Sequence, residues 1–109
     1  MHELAIAESV VDTVTERLPG AKVTRIHLEI GALSGVVADS IRFCFDLATE
    51  GTGLAGAQLD ITEPPAQCRC RACSTEFAPD GPVVLCPCGS PDVAVLSGEQ
   101  LKIISVSVA

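Results

Sequence analysis

Five of the six cysteines of this 109-residue chain fall between residues 68 and 88, and that cluster constrains the fold more than any other feature. The local sequence is Cys68-Arg69-Cys70-Arg71-Ala72-Cys73, then residues 74–85, then Cys86-Pro87-Cys88. Zinc favours four thiolates in a tetrahedron, and a Cys-x-x-Cys turn lets two sulfurs reach one ion. Two such pairs on a short connection make a zinc knuckle or ribbon. Cys70 and Cys73 have the usual spacing, whereas Cys86 and Cys88 are one residue closer than usual. The expected ligand set is Cys70, Cys73, Cys86 and Cys88, and Cys68, two residues before Cys70, stands as a substitute ligand. A redox Cys-x-x-Cys opens a helix after a strand, and the Pro- and Gly-rich surroundings here argue against that. No His lies in the segment, so a catalytic zinc with an open position is disfavoured. Cys44 falls on the apolar face of a predicted helix and reads as a core residue.

The rest of the chain explains why such a staple is useful. It is 48% apolar but only 3% aromatic, so its core is aliphatic and small. Short chains of this kind gain from a metal cross-link. The formal charge is −7, with seven Lys and Arg scattered along the sequence. Binding to nucleic acid needs basic side chains to neutralise phosphates, so that class is disfavoured. No run approaches the ~20 apolar residues of a membrane span. The opening Met1-His2-Glu3-Leu4 lacks the basic start of a signal peptide. The expectation is a cytoplasmic protein whose thiols stay reduced.

Periodicity supplies the elements. Leu4, Ala7, Val10, Val11, Val14 and Leu18 share a helical face, ended by Pro19-Gly20. Ile26, Leu28 and Ile30 alternate with Arg25, His27 and Glu29, which predicts a half-buried strand with His27 at the surface. Residues 38–49 return to helical spacing through Ile41, Cys44, Phe45 and Ala48, with Asp39 or Ser40 as the expected cap. Leu59 and Ile61 mark a second strand. Residues 67–92 show little periodicity. Residues 93–96 and 100–108 read as two strands around the turn Ser97-Gly98-Glu99. The predicted fold class is α/β: two helices packed on a small mixed sheet, with an inserted zinc-ribbon-like knuckle. The expected division is residues 1–64 plus 98–109 as one domain and 65–97 as the knuckle.

Several segments, taken in order, carry a family resemblance. They are Met1-His2-Glu3, Ile30-Gly31-Ala32-Leu33-Ser34, Phe43-Cys44-Phe45-Asp46, Gly56-Ala57-Gln58-Leu59, Cys86-Pro87-Cys88-Gly89-Ser90 and Ser97-Gly98-Glu99-Gln100-Leu101. Together they resemble the HypA/HybF family of hydrogenase nickel-maturation proteins along nearly the whole chain. The family has one more residue between the second pair of cysteines. The resemblance implies a metallochaperone, not an enzyme, and a nickel site at Met1, His2 and Glu3. An N-terminal amine, backbone amide nitrogens and an imidazole form the square-planar nitrogen set that suits Ni(II). It further implies transported Ni(II) with structural Zn(II), a HypB-type GTPase partner, and a [NiFe]-hydrogenase large subunit as client. The sequence admits a monomer or a homodimer. The rival reading is a zinc-ribbon interaction module with no nickel role.

Overall fold

The computed structural model describes residues 2–81 and 83–109. The elements run in the order α1 (Glu3–Arg17), β1 (Val23–Ile30), α2 (Ala38–Thr49), β2 (Gln58–Thr62), β3 (Gln67–Cys70), β4 (Glu76–Phe77), β5 (Val93–Ser97) and β6 (Leu101–Val108). The chain divides into two compact units. The first holds residues 1–29, 36–62 and 102–109, and the second holds 30–35 and 63–101.

In the first unit, α1 buries Ala7, Val10, Val11 and Val14, spaced as one helical face. Its end is fixed where the Leu18 amide donates to the Val14 carbonyl and Gly20 takes a positive φ of 74°. Helix α2 buries Ile41, Cys44, Phe45 and Thr49. The expected Asp39 or Ser40 cap is not what begins it. Val37 occupies the cap position without a side-chain hydrogen bond, and Asp39 lies in the first turn, where its charge favours the helix dipole.

Strands β1 and β2 are parallel, and α2 is the crossover that a parallel pair requires. Their register sets Ile26 beside Leu59 and Leu28 beside Ile61, so the aliphatic positions share one face. Arg25, His27 and Glu29 take the other. There Arg25 pairs with Asp60 at 3.4 Å, and the His27 ring lies 3.0 Å from the Thr62 hydroxyl. Strand β6 flanks β1 on its far side. The Ala109 amide donates to the Lys22 carbonyl and the Thr24 hydroxyl to the Ser107 carbonyl, which sets β6 antiparallel and makes the sheet mixed.

The second unit carries its own sheet, ordered β4-β3-β5, with both pairings antiparallel. Strands β3 and β4 lie within 67–92, the stretch whose sequence shows little periodicity. Nor do β5 and β6 form a hairpin: β5 pairs with β3, while β6 belongs to the other sheet. The turn between them is tight. A side chain at Gly31 would strike the Gly98 carbonyl, and one at Gly98 (φ 117°) would lie 2.5 Å from the Ala66 methyl. Among the described residues, the buried apolar positions of this unit are Ile30, Ala66, Cys68, Cys70 and Cys86. Three of those five are cysteines, so the unit has almost no aliphatic core to hold it.

Candidate metal centre

The sulfurs of Cys70, Cys73, Cys86 and Cys88 lie within 4.8 Å of one another. Cys70 to Cys88 is 3.7 Å and Cys73 to Cys86 is 3.5 Å. Both are far beyond a disulfide bond. Four sulfurs at a zinc–sulfur distance of about 2.3 Å stand about 3.8 Å apart, so the spacing fits a tetrahedral thiolate site.

Two turns of matching design build this arrangement. In the first, the Cys70 amide donates to the Thr75 carbonyl at 2.9 Å and the Ser74 amide donates to the Cys70 carbonyl at 2.9 Å. The Cys73 amide lies 3.4 Å from the Cys70 sulfur. In the second, the Cys86 amide donates to the Ser90 carbonyl at 3.1 Å, and the Gly89 amide to the Cys86 carbonyl at 2.8 Å. The Cys88 amide lies 3.5 Å from the Cys86 sulfur. Each bond of the second turn spans one residue fewer than its counterpart. The short Cys86-Pro87-Cys88 spacing is thus absorbed inside the turn and does not remove a sulfur from the cluster. Each turn also places a positive φ directly after its second cysteine, at Ser74 (64°) and Gly89 (94°). That reversal carries the chain away from the sulfurs.

The thiols differ sharply in acidity. The Thr75 hydroxyl, 3.3 Å from the Cys73 sulfur, and the Thr75 amide hold the Cys73 thiol down at about 6. Amide donation from Cys73 lowers Cys70. The Cys88 amide favours the Cys86 thiolate, but burial and the neighbouring thiols together push Cys86 up to about 12. Adjacent sulfurs cannot all carry negative charge without a cation among them. A bound divalent ion removes that conflict.

Cys68 is outside the cluster. It is fully buried in β3, opposite Phe77 of β4 and Val95 of β5. Alternation along a strand gives Cys68 and Cys70 the same side, but only Cys70 reaches the turn. Sequence reasoning missed Thr75, and it missed the brace in which Arg71 binds the Asp92 carboxylate at 3.0 Å. Neither residue belongs to a ligand motif, so only the fold marks them.

At the other end of the chain, His2 is the residue before α1 and Glu3 is the first in it. The His2 ring lies 3.5 Å from the Glu3 carboxylate. The His2 carbonyl accepts from the Ile6 amide. The Glu3 amide, first in the helix, has no intrahelical acceptor. Met1 lies outside the described residues. Asp39, which the sequence reading treated only as a cap, lines the same cleft as Glu3.

The family model described as "Hydrogenase/urease nickel incorporation, metallochaperone, hypA" matches residues 1–108. The chain belongs to the HypA family. It is 48% identical over 108 residues to the hydrogenase maturation factor HypA of Nostoc punctiforme, covering 99% of this chain and 96% of that one. It is also 48% identical over 109 residues to HypA of Geotalea daltonii, covering 99% of each. The solution structure of the Ni metallochaperone HypA from Helicobacter pylori has the same fold, with a TM-score of 0.66 at 23% identity over 99% of this chain and 97% of that one. Membership of the HypA family makes the chain a nickel-incorporation metallochaperone of hydrogenase maturation rather than an enzyme. Among the described residues, no helix is long and apolar enough to cross a membrane.

Proposed function

We propose that this chain binds Ni(II) through Met1, His2 and Glu3 and delivers it to the precursor of a [NiFe]-hydrogenase. Family membership along the whole chain carries this reading. The exposed His2 ring, and the Glu3 amide that as the first in α1 has no intrahelical acceptor, support it, since both are nitrogen donors on neighbouring residues. Zn(II) on Cys70, Cys73, Cys86 and Cys88 is the structural metal in this reading. The four-sulfur geometry favours it, and so does the shortage of aliphatic core in the same unit. Nickel binding then belongs to the unit that holds α1, and zinc to the unit that holds β3. The protein works in the cytoplasm, where thiols remain reduced. Its partners are a HypB-type GTPase and the hydrogenase large subunit.

The test is metal analysis with calorimetric nickel titration on three untagged or tagged forms. Untagged wild type should bind nickel and carry one zinc per chain. His2→Ala should weaken nickel binding by at least about tenfold, the scale of losing one ligand, while keeping its zinc. An N-terminal tag should do the same by blocking the amine. Equal nickel affinity in all three forms would leave a zinc-ribbon interaction module as the better reading.

A further inference from the structure

Helix α2 turns an unpartnered apolar stripe to the surface. Phe43 is 67% exposed and Leu47 is 50% exposed, four residues apart on one face. With Leu4 of α1 they line a cleft of about 340 Å³. A phenylalanine left this open is costly to hydrate in a chain with only three.

The rim of the cleft has one sign of charge. Glu3 and Asp39 line it directly. Asp46 and Glu50, each exposed, extend the same helical stripe three residues beyond Phe43 and Leu47. The one basic residue of α2, Arg42, is turned away from this stripe and donates to the Leu59 carbonyl of β2. No cation from α2 therefore offsets the rim.

We propose that this cleft is a docking site for a protein partner that presents a cationic amphipathic segment: an apolar side chain seated between Phe43 and Leu47, flanked by Lys or Arg. The charge selects the occupant. A second copy of this chain would bring a matching ring of carboxylates against the first, and an anionic membrane surface would be repelled in the same way. An apolar anchor within a complementary charged rim is the usual layout of a binding hot spot. Glu3 belongs both to the rim and to the proposed nickel site, whereas Asp39, Phe43 and Leu47 are not among the proposed nickel ligands.

The experiment uses the full-length, zinc-loaded, ¹⁵N-labelled protein and two designed helical peptides, one of Leu and Lys and one of Leu and Glu with the same spacing. The Leu/Lys peptide should shift amide resonances of α2 and the start of α1, and its affinity should fall with added salt. Phe43→Ala should weaken it by roughly tenfold. Leu47→Ser is the second variant, and both should melt close to wild type because these side chains are exposed. Shifts spread over the whole acidic surface, an unchanged affinity in both variants, or equal binding of the Leu/Glu peptide would overturn the proposal. So would a Phe43-dependent dimer in sedimentation, which would assign the cleft to a second copy.

Discussion

Cys68 and Cys70 differ by two positions, share a side of β3 and are both fully buried, yet only one sits among the four sulfurs. Their substitutions should therefore separate. Cys70→Ser should lose the tightly held metal. Cys68→Ser should keep it and lower stability by about 1–3 kcal/mol, because a hydroxyl replaces a buried weakly polar thiol. Metal content and a thermal melt of each variant check this. Acidity is the second consequence at this scale. The Cys73 thiol at about 6 lies below its ordinary 9.0, so the folded chain favours its thiolate. The stabilisation from that shift is complete above 9.0 and is lost as pH falls through about 6. Because the thiolate is the ligand, zinc affinity should drop most steeply below about pH 6. Competition against a chromophoric chelator between about pH 7.5 and 5.5 measures it in wild type and in Thr75→Val, and identical profiles would show that the Thr75 hydroxyl does not tune Cys73.

The two turns are the informative elements. From the sequence, the spacing of Cys86 and Cys88 looks like a defect in a ligand pair. In the fold, every hydrogen bond of that turn is one residue shorter than in the turn at Cys70, and the sulfurs still converge. Restoring the missing position, with a Gly inserted between Pro87 and Cys88, should then reproduce the longer bonding pattern of the first turn. Zinc stoichiometry should stay the same. Loss of zinc in the insertion variant would mean that the short turn is needed by its surroundings.

At the scale of the molecule, the two units rest on different forces. The first buries Val, Ile, Leu and Phe side chains between helices and sheet strands, whereas the second buries mainly cysteine. Metal binding free energy becomes folding free energy where no alternative core exists. Stripping the metal with a strong chelator should accelerate amide exchange throughout residues 63–101 and leave α1, β1 and α2 protected. Hydrogen exchange by mass spectrometry resolves the two regions. Uniform loss of protection would show instead that the first unit also depends on the metal.

Local pattern was enough for α1, β1, α2 and β2, because each has an apolar face whose period of 3.6 or 2 is written in consecutive residues. It was also enough to bring Cys70, Cys73 and Cys86 forward as candidate ligands, because ligand spacing is a local property. The sequence could not reveal β3 and β4. They are short, and the cysteine-bearing turns beside them, with little apolar burial, leave no periodic pattern to read. The separation of β5 from β6 was equally hidden, since both are apolar runs around a turn and partner choice is a long-range matter. Whether Cys68 or Cys88 completes the sulfur cluster depended on a turn one residue shorter than usual, and backbone hydrogen bonds, not composition, decided it.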